Sequence, residues 1–291
     1  MSHDTSVMRA VLSGERPTNE HFRAYYRSFH EQYEGATERA MREFHDESGQ
    51  TSYERLVNAL HLAPRARVLD LGCGNGPLLE EINARYADAR LFGLDLSEEE
   101  LIRARSRLPQ DATLVEGRAE AMPFADGSFD VVTSHMVMML LPDLNAALLE
   151  VRRVLAPDGE FVFLLSRPPD DPKDPLRELL GQTFAWIREA HATFAPVNPG
   201  DPRAYDLAAL EATLLDAELT PKNVIDFSVH ADLDAEGLWL QFERRYYLGS
   251  LPELTRGLLR ERLTAWIGDR SMTFSEPLRI VAASWNQPLT C

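Results

Sequence analysis

The stretch Arg67-Val68-Leu69-Asp70-Leu71-Gly72-Cys73-Gly74-Asn75-Gly76 decides how this chain is read. Val68, Leu69 and Leu71 are apolar residues compatible with a strand. The glycines at 72, 74 and 76 admit positive φ and let the backbone come close to a ligand. Pro77-Leu78-Leu79-Glu80-Glu81-Ile82 follows, and proline is well tolerated at the first helical position. The reading is strand, tight turn, helix, with the helix N-terminus aimed over the turn as a site for a negatively charged ligand group. A dinucleotide fingerprint requires G-x-G-x-x-G/A with a small third position. Counted from Gly72 that position is Pro77, and counted from Gly74 it is Leu79, so the fingerprint is not met. What stands here is D-x-G-x-G-x-G, from Asp70 to Gly76.

Leu91-Phe92-Gly93-Leu94-Asp95-Leu96-Ser97 reads as a second short strand ending in a carboxylate, 25 residues after Asp70. An acid at that offset is placed to accept bonds from ribose hydroxyls. Ser97 and Glu100 form a capping box for a helix from Glu98 to Leu108, so Ser97 serves the helix and Asp95 the ligand. Three further blocks follow in order: Leu114 to Phe124, Ser128 to Ser134, and Leu148 to Phe161.

Together these five blocks, over residues 60–166 with a weaker echo near the C-terminus, resemble the class I S-adenosylmethionine (SAM) dependent methyltransferases. The resemblance implies an α/β fold: a Rossmann-like, seven-stranded, mostly parallel sheet with helices on both faces and its last strand antiparallel. It implies SAM as cofactor. Asp70 and the backbone of Gly72 would hold the methionine amino group, and Gly74 would allow close approach. Asp95 would bind the ribose and Leu96 would pack on adenine. Ala119 would offer backbone contacts to the base, with Glu120 beside it. Ser134 would line the methionine end. Cys73 sits in the same loop as a small, structural residue and not as a nucleophile. Two departures stand out. Arg118 occupies the place where the family often has Asp, and Leu140 precedes Leu141-Pro142-Asp143 where many small-molecule members carry His.

The chain has 291 residues, 44% hydrophobic, enough for one large α/β domain with additions. Its formal net charge is −16, against a nucleic-acid substrate and against docking on anionic membranes. Two cysteines, Cys73 and Cys291, give no disulfide framework, and no metal-ligand cluster is visible. The N-terminus lacks a signal-sequence pattern, and the longest apolar runs, Met136 to Leu141 and Phe161 to Ser166, are too short to span a bilayer. A cytoplasmic protein with a small-molecule substrate is expected; the oligomeric state is not legible.

Residues 1–17 read as flexible, and Thr18 to Asp46 as helical with Phe22, Tyr25, Tyr26, Phe29 and Tyr33 on one aromatic face. Arg39 and Arg42 lie near enough in sequence to be weighed for the SAM carboxylate. The run Arg167 to Pro175, rich in proline and acid, excludes helix and central strand. A helix from Leu176 to Phe194, a Pro/Gly loop from Pro196 to Pro202, a helix from Tyr205 to Ala217 and a strand from Val224 to His230 follow. Residues 234–268 read as helices holding Trp239, Phe242, Tyr246, Tyr247 and Trp266, and Leu278 to Ala283 as the final strand. The expected division is a helical cap at 1–60, a SAM-binding core at 61–166, a cap insertion at 167–203, and the rest of the core at 204–291 interrupted by helices at 234–270.

Methyl transfer from a sulfonium asks mainly for alignment, so no strong catalytic signature is required. A general base would assist O-methylation, and His135, directly after the fourth strand, is the best-placed histidine in the primary sequence. Tyr25 and Tyr26 are the aromatic candidates to face the reacting groups. The leading reading is methyl transfer to a small organic acceptor of bacterial secondary metabolism. Two alternatives stay open: an enzyme that cyclises the aminobutyrate chain of SAM and releases methylthioadenosine, and a non-catalytic SAM-binding protein.

Overall fold

A computed structural model describes residues 6–169, 175–195, 200–243, 246, 248 and 251–285. Residues 170–174 of the acidic proline run, loop residues 196–199, Tyr247 and Cys291 lie outside the described residues. In chain order the elements are α1 (Ser6–Ser13), α2 (Asn19–Gln32), α3 (Ala36–Met41), α4 (Ser52–Asn58), β1 (Arg67–Leu71), α5 (Pro77–Arg85), β2 (Arg90–Asp95), α6 (Glu98–Arg107), β3 (Thr113–Glu116), β4 (Phe129–His135), α7 (Leu144–Val154), β5 (Leu155–Ser166), α8 (Pro175–Ala190), α9 (Leu207–Asp216), β6 (Thr220–Leu233), α10 (Ala235–Glu243), α11 (Glu253–Ile267) and β7 (Met272–Ser284).

The strands make one sheet in the order β3-β2-β1-β4-β5-β7-β6. β1 to β5 pair in parallel, and β7 lies antiparallel against β5, with Ser166 opposite Leu278 and Glu160 opposite Ser284. Parallel strands covered on both faces lose their polar alternation. β5 shows this, since Phe161, Val162, Phe163, Leu164 and Leu165 are all fully buried. Strand order reverses between β1 and β4, a switch point outside which ligands bind in open α/β sheets.

The chain divides into two units. The first comprises Met1–Gly49, Pro168–Asn198 and Ser228–Glu276, and the second Gln50–Arg167, Pro199–Phe227 and Pro277–Cys291. The second unit therefore starts at residue 50, ahead of the boundary expected at 60. The reason is α4, whose Tyr53, Leu56 and Val57 are buried, with Tyr53 stacked on His135 of β4.

Within the first unit, the flexibility expected of residues 1–17 is corrected for Ser6–Ser13, which form α1 and bury Val7, Met8, Ala10 and Val11; residues 1–5 lie outside the described residues. The helical stretch expected from Thr18 to Asp46 forms two helices, α2 and α3. The break runs through Tyr33, whose N–H bonds back to Phe29, and Gly35 at φ 55. Phe22, Tyr25 and Phe29 form the buried side of the aromatic stripe. α8 stops at Ala190, short of Phe194, while β6 and β7 run longer than the sequence pattern marks. Among the described residues, no helix is long and apolar enough to cross a membrane.

Candidate functional site

β1 delivers the chain to the glycine turn at its C-terminal end. Gly72 N–H and Cys73 N–H both donate to Leu94 O of β2, at 2.8 and 3.1 Å. Gly72 adopts φ 72, and a Cβ there would stand 2.4 Å from Val137 Cγ2. Gly74, at φ 52, has no heavy atom within 4 Å of the place a Cβ would take, so its outer side is open. Gly72→Ala is expected to destabilise the core unit by about 1–3 kcal/mol, through overpacking and the positive φ. Chemical denaturation would measure it, and Val137→Ala in the same chain should recover part of the loss.

Cys73 points into the protein. It is buried, and its Sγ lies above Gly93 of β2, where an added Cβ would stand 2.7 Å from it. Burial, with the charges of Asp95 and Asp70 nearby, pushes the thiol well above its ordinary range. A thiol in that state is a poor nucleophile. The sequence carries a signal for this contact, since a glycine inside a strand pattern, here Gly93, marks such a close approach.

Two carboxyl groups flank the turn at the ends of adjacent strands, where Asp70 pairs with Gly93 and Leu71 with Leu94. Asp70 is buried and accepts from Thr133 Oγ1 of β4 at 3.0 Å. Burial raises its carboxyl to about 8, the Thr133 bond opposes this, and the Asp95 charge adds to it. Asp95 braces the turn itself. Its Oδ2 accepts from Gly74 N–H at 2.8 Å and its Oδ1 from Ser97 N–H at 2.9 Å. Ser97 caps α6, its hydroxyl accepting from Glu100 N–H at 3.4 Å. Leu96, between them, is half-buried.

His135 closes β4 as its last residue and is buried. Its ring stacks on Tyr53 with centroids 4.0 Å apart, and Nε2 lies 2.9 Å from Ser52 Oγ. Desolvation lowers its pKa to about 3. Set beside the expectation of a general base, this ring is neutral at pH 7 and packed against α4, an arrangement that disfavours proton abstraction. A depressed histidine pKa supports stability above the ordinary value near 6.5, and that support is lost as pH falls toward 3. Stability should drop by about 2 kcal/mol more between pH 7 and pH 5 in the wild type than in His135→Gln, as read by urea unfolding. Ser134 is buried too, and its Oγ–H donates to Leu71 O at 2.8 Å, tying β4 to β1.

After β3 the chain runs through Gly117, whose N–H donates to Asp95 O at 2.8 Å, into the loop holding Ala119 and Glu120. Ala119 is buried, and Arg118 pairs with Glu120 at 3.7 Å. Tyr25 and Tyr26 belong to the first unit and are not part of the unit that carries the turn. There they join an aromatic cluster with Phe29 and Tyr246, Tyr26 and Tyr246 standing 5.0 Å apart edge to face. Arg42 of the same unit bonds Glu38 at 2.8 Å, and Arg39 is exposed. Among the described residues, no three His, Cys, Asp or Glu side chains gather as a metal site.

Comparisons with known proteins fit this geometry. A family model described as a methyltransferase domain matches residues 69–163. Trans-aconitate 2-methyltransferase from Acidovorax sp. is 30% identical over 243 residues, 78% of this chain and 86% of that protein. Demethylmenaquinone methyltransferase from Lactiplantibacillus plantarum is 38% identical over 122 residues, 39% of this chain and 50% of that protein. The chain spans about half the length of several of the curated relatives it matches. Among solved structures, the cyclase SpnF shares the fold at a TM-score of 0.60 and 13% identity, over 94% of this chain and 98% of that one. Since a methyltransferase aligns with most of both chains, and the family model falls on β1 through β5, this chain belongs to the class I S-adenosylmethionine-dependent methyltransferases.

Proposed function

We propose that this chain transfers the methyl group of SAM to a small organic acceptor, of the kind made in bacterial secondary metabolism. The observation that carries the reading is the placement of Asp70 and Asp95 at the ends of two adjacent parallel strands, on either side of a glycine turn. The cofactor supplies an electrophilic methyl group whose transfer leaves the bonding electron pair on sulfur. The residues present suit it. Asp70 is a buried carboxyl held up to about 8, and a cationic ammonium group would offset the cost of ionising it. A carboxylate offers about four acceptor sites, so Asp95 can take ribose hydroxyls while still bracing Gly74 and Ser97. The open side of Gly74 admits the cofactor backbone closely, Leu96 and Ala119 offer apolar contact to adenine, and Glu120 lies beside it. Ser134 spends its proton on Leu71, leaving oxygen lone pairs for the methionine end.

Alignment of acceptor and methyl can supply roughly 7–11 kcal/mol of barrier lowering, without any acid or base. The histidines of the core unit are His61, which is exposed and precedes β1, and the depressed His135. That supports an acceptor already ionised at neutral pH, and carboxylates head the classes to screen. The net charge of −16 supports a small molecule over a nucleic acid.

The test is incubation of the purified protein with SAM, alone and with a panel of carboxylic acids, alcohols and amines, followed by mass spectrometry. The expected result is intact SAM alone, and S-adenosylhomocysteine with a methyl ester in the presence of a matching acid. Methylthioadenosine formed without an acceptor would overturn the reading in favour of SAM as the sole substrate.

A further inference from the structure

The loop between β3 and β4 carries Ala119 and Glu120. Its first turn is tied by Gly117 N–H to Asp95 O and by a bridge between Arg118 and Ala121, and its later part, from Met122, is held from α7. Glu150 and Arg153 stand three residues apart on that helix and form a bidentate pair, Nε to Oε1 at 2.6 Å and Nη2 to Oε2 at 2.8 Å. Both partners also grip the loop. Glu150 Oε2 accepts from Met122 N–H at 2.6 Å, and Arg153 Nη2 donates to Met122 O at 2.9 Å. Arg153 Nη1 donates to Phe124 O at 2.7 Å and to Asp126 Oδ1 at 2.8 Å. The Met122 residue is thus fixed at its N–H and its C=O by one ion pair. Apolar contacts set how deep the loop sits, with Met122 buried and Phe124 edge-on to Phe129 at 4.9 Å. The Arg118–Ala121 bridge orients the peptides around Ala119, and the directional bonds from α7 orient the next ones, at Met122 and Phe124.

We infer that the Glu150–Arg153 pair is a positioning device for the adenine side of the cofactor site, holding the loop of residues 118–126 in the shape that reads the base. The inference rests on the cofactor reading above. Charge agrees with it: hydrogen bonding to Arg153 holds the Glu150 carboxyl below its usual range, and Glu150 and Asp126 raise Arg153. A simple surface ion pair would contribute little, but this one spends all three guanidinium nitrogens on a defined geometry. Lysine carries the charge without the fork.

The experiment measures binding of S-adenosylhomocysteine and of S-inosylhomocysteine, in which the adenine amino group is replaced by oxygen, by calorimetry on the full chain. The wild type should prefer the adenosyl compound. Arg153→Met should raise its Kd about tenfold, the scale of a lost set of hydrogen bonds, and should narrow the preference for adenosyl over inosyl. Arg153→Lys should fall between. A role confined to stability would lower Tm and leave the preference at its wild-type value, and that result, or an equal loss on both compounds, overturns the inference. If Arg153→Met does not fold, Glu150→Gln keeps an acceptor for Met122 N–H and breaks the charge pair; it too should narrow the preference, and a wild-type preference overturns the inference. A wild type that binds neither compound overturns the cofactor reading and this inference with it, whereas a binding wild type beside an unaltered variant overturns the inference alone.

Discussion

Asp95→Ala is expected to raise the Kd for SAM by roughly 10–150-fold, the cost of about 1.5–3 kcal/mol for hydrogen bonds to a charged group. On the proposed assignment of Asp95 to the ribose, those bonds are only part of the loss. Gly74 N–H and Ser97 N–H would also lose their acceptor, so the turn that presents Gly74 to the ligand would loosen. A drop in Tm should therefore accompany the loss of affinity. Asp95→Asn separates the two effects, because its carbonyl oxygen can still take one of these N–H groups. Calorimetry and thermal unfolding on the two variants measure this, and an Asp95→Ala protein that binds SAM with wild-type affinity would remove Asp95 from the cofactor site.

The second large effect concerns Asp70 and pH. Burial holds this carboxyl up to about 8, so near neutrality the ligand-free protein keeps it largely protonated. On the proposed assignment, binding a cofactor ammonium group at Asp70 would expel that proton. Affinity for SAM should consequently climb by up to about tenfold per pH unit from pH 6 toward 8, then level as the α-amino group itself loses its proton near 7.7–8.0. Asp70→Asn should flatten the climb and bind about 10–150-fold more weakly at pH 8. Calorimetry in buffers of different ionisation enthalpy would count the released proton; a Kd independent of pH would defeat the assignment. The stability of the ligand-free protein should run the other way. Between about 4 and 8 the folded chain holds more protons at Asp70 than the unfolded one, so this group's contribution falls as pH rises.

Much of the core was legible because it is written locally. The apolar run Val68 to Leu71, the glycines after it, Asp95 closing the second strand and the Ser97 cap each depend on neighbours within a few residues. The antiparallel strand beside β5 came from the family resemblance, since no local pattern tells a strand which neighbour it takes. What failed was contact between distant segments. His135 sits at a strand end, and alternation alone could not say that its ring would meet Ser52 and Tyr53, more than eighty positions earlier. α1 is short, but Val7, Met8, Ala10 and Val11 recur at helical spacing and bury one face, a local signal that a flexible reading of residues 1–17 overlooks. Glu150 and Arg153 look like an ordinary i,i+3 pair on a helix surface, and only the fold reveals that Met122 and Phe124 lie against them.

The position of β7 also bears on biosynthesis. It follows every other strand among the described residues, yet it fills the slot between β5 and β6. A nascent chain that has reached residue 270 holds β1 through β6 but not the strand that completes the sheet. Until then the edge of β5 presents unpaired backbone alongside Phe161-Val162-Phe163-Leu164-Leu165, a short, uncharged, β-prone run of the kind that pairs with other chains. An edge of this kind stays open to pairing with other chains until the strand from Met272 docks against it.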